Sequence, residues 1–108
     1  MKDYSAMSDF EINKLVAHKI YGGYETAEGC VFVDASGDGE NLILISGFYD
    51  PCNNPADAWP IIHHNRIGIS PSGEIWHAYA SGEDFVCSIS NPLRSAMIVY
   101  LQMMEQKS

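Results

Sequence analysis

The stretch that decides the fold is Phe48-Tyr49-Asp50-Pro51-Cys52-Asn53-Asn54-Pro55-Ala56-Asp57-Ala58-Trp59-Pro60. Asn54 followed by Pro55 is a helix opening. The Asn side chain can accept from an orphan backbone N–H, and proline at the first helical position lacks the N–H that would go unpaired there. Asp57 falls in the first turn, where a carboxylate suits the positive helix end. Pro60 removes one backbone bond and predicts an early bend, with the helix running to about His64. A helix therefore sits mid-chain, between strand-like runs on both sides.

Upstream, Cys30–Val33 and Leu42–Ile45 are short, apolar and bounded by turn formers. They predict a hairpin across the link Ala35-Ser36-Gly37-Asp38-Gly39-Glu40. Further upstream, Ser8 and Glu11 form a capping box. Ile12, Leu15, Val16 and Ile20 then recur at helical spacing until Gly22-Gly23. Downstream, Ile67–Ser70, Ile75–Tyr79 and Phe85–Ile89 predict three strands, with turns at Ser72-Gly73 and Ser81-Gly82. Asn91-Pro92 repeats the helix opening. Leu93, Ala96, Met97, Tyr100, Leu101 and Met104 supply a core-facing stripe. The order is αββαβββα. It implies an α+β fold: a two- or three-layer sandwich with a mainly antiparallel sheet of about five strands and three helices.

The chain has 108 residues, the length of a single globular domain, 1–108. At this size it should bury roughly 60–70% of its unfolded surface, enough for one core. Fourteen acids against six bases give a net charge of −8. That balance argues against duplex nucleic acid as a partner, since affinity for phosphate backbones comes from Lys and Arg. No apolar run approaches the 18 residues of a membrane span, and the polar start predicts no secretory signal. The three cysteines, Cys30, Cys52 and Cys87, are odd in number and widely spaced. They read as free thiols in a reducing cytoplasm.

Several catalytic patterns fall short. Asp34-Ala35-Ser36-Gly37-Asp38-Gly39 resembles half a calcium loop, but Ile45 stands where the loop needs Glu. Asp50, Cys52, His63, His64 and His77 lack zinc-ligand spacing. No nucleophile elbow surrounds Ser46, Ser70 or Ser88. The expectation is no enzyme, no metal and no cofactor. Between Tyr21 and Asn65 lie seven acids and no Lys or Arg, a solvated face or a docking face for a basic partner.

The 48–60 stretch also holds two amides, two carboxylates and three aromatics at a helix N-terminus, a natural seat for an anionic or polar ligand. Aromatic faces there can stack on a planar base. The candidate ligand-binding residues are Tyr49 and Trp59 for stacking, Asn53, Asn54 and Asp57 for hydrogen bonding, and Arg66 and Arg94 as phosphate counter-charges.

Three blocks carry a family resemblance: Ser8-Asp9-Phe10-Glu11-Ile12-Asn13-Lys14 with Val16-Ala17, then Asp50 through Ile62, then Asn91-Pro92-Leu93-Arg94-Ser95-Ala96-Met97-Ile98-Val99. They resemble the NinX-like family of small tailed-phage proteins, and the wider pattern resembles the phage α-β-α sandwich domain. Tyr24–Ile45 carries no part of the resemblance. The likeness implies an early phage protein in the host bacterial cytoplasm and supplies no catalytic residues. The expected function is a counter-defence protein that sequesters a host nucleotide-type signalling molecule, of the cyclic or modified ADP-ribose class, without catalysis. A homo-oligomer is expected, with Met97, Met103 and Met104 available to an interface. The alternative is an acidic protein-interaction inhibitor that docks on a host factor through the 21–65 surface.

Overall fold

The computed structural model describes residues 3–23, 25–33, 49–80 and 85–107. After a 3-10 turn at Tyr4–Ala6 come α1 (Asp9–Tyr21), β1 (Glu25–Ala27), β2 (Cys30–Phe32), α2 (Pro55–Asn65), β3 (Gly68–Ser72), β4 (Ile75–Ala80), β5 (Phe85–Ile89) and α3 (Pro92–Lys107). The order and class are those the sequence predicts. The strands divide between two antiparallel sheets rather than one, β1-β2 and β3-β4-β5. Cys30 and its neighbours pair with Glu25–Ala27 upstream. The Leu42–Ile45 run, the 34–40 link and the calcium-loop candidate lie outside the described residues.

The predicted caps form. The Ser8 hydroxyl accepts from the Glu11 N–H at 3.2 Å, and the Glu11 carboxylate accepts from the Ser8 N–H at 3.2 Å. Gly22 ends α1 in the left-handed region at φ 78°, where a side chain would strain the backbone. The same stop closes α2 at Arg66, a non-glycine residue with φ 55°. The 3-10 turn is an addition that the polar start did not predict. Its Tyr4 is buried, and the Tyr4 hydroxyl donates to Glu105 of α3.

Helix α3 is the centre of the molecule. It packs on β4 and β5 with one side and on α1 and α2 with others. Ser95 and the run Ala96–Leu101 are all buried, as is Met103. The single stripe read from the sequence is therefore too narrow, because two layers cover this helix. Met97 and Met103 belong to the monomer's own core and are not available to an interface. On the sheet side, Ala78 and Ala80 of β4 are small enough to let α3 approach closely.

The opposite face of the sheet is open. Registry places Gly68, Tyr79 and Val86 in one row across it and Ser70, His77 and Ser88 in the next. The Tyr79 ring lies over Gly68, so that a Cβ at residue 68 would overlap it. We expect Gly68→Ala to cost about 1 kcal/mol, the scale of mild overpacking. The loss should largely vanish in a Tyr79→Ala background, because the clash is pairwise. Urea unfolding of the two single variants and the double variant measures this.

Candidate functional site

Three helices begin at one place. The N-termini of α1, α2 and α3 meet around Asp9, Asn13, Asp50, Asn53, Asn91 and Arg94. Asn91 caps α3, its side-chain oxygen accepting from the N–H of Leu93 at 2.9 Å and of Arg94 at 3.2 Å. Its amide NH2 reaches across to the Cys52 carbonyl at 2.9 Å and to Asn53 at 3.1 Å. Asn53 in turn donates to Asp9 at 3.1 Å and to both Asp50 oxygens at 3.2 Å. Asn13, buried on the inner face of α1, donates to Asp50 at 2.8 Å and accepts from the Cys52 N–H at 3.2 Å.

Arg94 fastens the junction. Its guanidinium pairs with Asp9 at 2.7 Å and donates to the carbonyls of Ser5 and Met7 at 3.2 and 2.5 Å. Among the described residues, no buried side-chain nitrogen or oxygen lacks a partner. The helix dipoles agree with this arrangement, since three positive helix ends gather two carboxylates.

This junction absorbs four of the seven candidates. Asn53 and Arg94 are spent inside it. Asn54 caps α2, accepting from the Ala56 N–H at 3.0 Å. Asp57 accepts from the Asp50 N–H at 2.9 Å and from Asn54 at 3.2 Å. Tyr49 is buried, edge-on to Tyr21 with ring centres 5.5 Å apart. Burial first, and then the nearby Tyr21 and Asp57, pushes the Tyr49 hydroxyl well above its ordinary pKa. It packs and does not offer a free face.

The junction also governs Cys52. Burial, and then the Asp9 carboxylate, pushes this thiol up to about 12. An unfolded cysteine ionises near 9.0. Above that pH the unfolded chain binds fewer protons than the native one, so stability is full below pH 9 and falls as pH climbs toward 12. We expect denaturant midpoints to drop as pH rises from 9.0 toward about 12, and the native thiol to resist alkylation at neutral pH.

Trp59 and Arg66 have different surroundings. Trp59 is 59% exposed, which is unusual for so large an apolar ring. Its ring lies 5.6 Å from that of His63, tilted by 45°. A spacing of four places Trp59 and His63 on one side of α2, and Arg66 follows the helix as its left-handed C-cap. Arg66 is exposed and, among the described residues, makes no ion pair. On the other flank of α2, toward the end of α1, is an apolar hollow of about 300 Å³ lined by Ile20, Pro60, Ile61, His64 and Asn65. Ile20, expected in the core, is instead 40% exposed at its edge. Sequence reading missed the pairing of Trp59 with His63 and the hollow that His64 and Ile20 line. The only signal was the i, i+4 step from Trp59 to His63.

The acidic face is also reduced. Asp50 and Asp57 accept hydrogen bonds within the fold, and Asp34, Asp38 and Glu40 lie outside the described residues. No helix among the described residues is long and apolar enough to cross a membrane.

A family model described as Bacteriophage P22, NinX matches residues 3–104. That span takes in the three resembling blocks and also Tyr24–Ile45. No curated protein and no solved structure matches.

Proposed function

The chain belongs to the NinX family of bacteriophage P22, and from that premise we propose that it is a non-catalytic phage protein that captures a nucleotide-type small molecule on the outer side of α2. The observation that carries this reading is the exposed Trp59 ring, placed with His63 on a side of α2 turned away from the core. A planar base stacks on the indole, worth about 1–3 kcal/mol. Arg66 meets a phosphate through charge-assisted hydrogen bonds.

Arg66 gives this end of α2 a positive charge, against the −8 of the chain as a whole. Local positive charge is what an anionic ligand requires on an acidic protein. Sequestration of a host signalling nucleotide of the ADP-ribose class, as a counter-defence activity in the host cytoplasm, is the biological role that fits such a binder. A second copy of the chain placed against Trp59 would enclose the ligand further, the role a homo-oligomer would serve.

The test is a fluorescence titration of the protein with a panel of nucleotides and ADP-ribose derivatives. A base stacked on Trp59 quenches its emission. The Trp59→Phe variant, which keeps only Trp76 as an indole emitter, reports no quenching. A flat response across the panel would sink the reading. The alternative, docking on a basic host factor through the 21–65 acids, draws less support because two of those carboxylates are internal hydrogen-bond acceptors.

A further inference from the structure

Helix α2 turns an uncharged side to water. Its exposed residues are Pro55, Ala56, Trp59, Pro60, His63 and His64. None is Asp, Glu, Lys or Arg, on a chain of net charge −8. A surface helix ordinarily carries charged residues opposite its buried stripe. The single carboxylate of this helix, Asp57, is half-buried and accepts from Asp50 and Asn54. Beside α2, Ile20 and Tyr21 at the end of α1 are exposed as well. A contiguous apolar patch on a surface marks a place of association.

This side carries both a projection and a recess. Trp59 stands out on one flank. Each helical step turns about 100°, so Pro60 and His64 fall on the other flank. There they line the hollow with Ile20, Ile61 and Asn65. At about 300 Å³ it is at the small end of ligand pockets, with room for one flat ring system. A twofold axis running along α2 brings the projecting flank of each copy opposite the recessed flank of the other. One patch then serves both partners, as an isologous contact requires.

We propose that two copies of this chain pair through the outer sides of α2, with each Trp59 seated in the other copy's hollow. Charge supports a second copy as the occupant. Two chains of −8 repel where their carboxylates face each other, and across this side of α2 they bring none together. A basic partner would find no exposed carboxylate on the helix to pair with. Helix α2 is about 16 Å long, so the contact falls short of the roughly 800 Å² per partner of a standard interface. The dimer is therefore a concentration-dependent one. Pairing stands on the shape and charge of α2 and not on the nucleotide reading. A base stacked on Trp59 would lie between that ring and the other copy's hollow.

The test is sedimentation of the full-length chain, free of nucleotide, from micromolar to millimolar concentration. We expect a reversible monomer–dimer equilibrium. Trp59→Ala removes the projection. His64→Glu places a carboxylate in the recess, at an exposed position where glutamate suits the helix. Each should weaken pairing about tenfold or more, with folding verified by circular dichroism. A mixture of the two variants should associate more strongly than either alone, because the hollow of the first still accepts the indole of the second. Val86→Glu, on the open face of the sheet, should pair as the parent does. A monomer throughout the range, an undiminished Trp59→Ala dimer, no recovery on mixing, or loss of pairing in Val86→Glu would each overturn the proposal. Because no nucleotide is present, its failure is distinct from a failure of ligand capture.

Discussion

Replacing Arg94 by methionine is expected to lower the unfolding free energy by about 2 kcal/mol, the cost of stripping a charged donor from part-buried polar groups. The surface part of the effect is small. Asp9 is 43% exposed, so its ion pair alone is worth no more than about 1 kcal/mol. The larger loss comes from the part-buried Met7 carbonyl, which loses its charged donor, whereas the exposed Ser5 carbonyl turns to water. The Arg94 side chain is itself only 15% exposed, and water does not readily replace it. For a domain of this length, such a loss shifts the thermal midpoint downward by roughly ten degrees or more. Arg94→Lys should recover only part of it, since an ammonium lacks the planar fork that reaches three acceptors at once. Denaturant unfolding of the three proteins measures the series. A loss below about 0.5 kcal/mol for the methionine variant would mean that the junction contributes nothing beyond ordinary surface contacts.

Trp59→Ala is expected to do the opposite: to leave stability within about 0.5 kcal/mol while weakening ligand capture by at least tenfold. The stability estimate follows from exposure, because a surface side chain outside caps and networks seldom matters. The binding estimate follows from the stacking increment, about 1–3 kcal/mol per base, with tryptophan a frequent anchor of recognition surfaces. Arg66→Ala should weaken binding less and should flatten its dependence on salt, as expected for a phosphate contact. Calorimetric titration of the wild type and both variants with the tightest ligand of the panel decides the matter. Equal affinity in wild type and Trp59→Ala would move the site off α2. A large loss of stability in Trp59→Ala would mean that the indole supports the fold.

Much of this architecture was legible because it rests on local rules. The Ser8–Glu11 box, the Asn54-Pro55 opening, the Asn91 cap and the Gly22 stop each depend on a few neighbouring residues, and all form as their spacing implies. The β3-β4-β5 meander is legible for the same reason: short β-branched or aromatic runs are separated by turn residues, with Gly73 at φ 65° in the first turn. The pairing of β2 with Glu25–Ala27 was not legible. Those three residues carry no strand periodicity, and their place is set by the tight Glu28-Gly29 turn, where both residues have positive φ.

The candidate site divides along the same line. Composition singled out the amides, carboxylates and aromatics around 48–60, of which Phe48 lies outside the described residues. Their roles depended on groups far away in sequence. Asn53 and Arg94 are spent because Asp9 and Asn91 arrive from two other helices. Trp59 is exposed because α3, already covered by the sheet and α1, takes Ala58, Ile61 and Ile62 from α2 and leaves the opposite side to water. Helix caps, strand order and net charge are properties of neighbours along the chain, so they can be read before folding. Which polar groups remain free for a ligand is settled only when distant elements have taken their hydrogen bonds, and that count exists in the packed molecule alone.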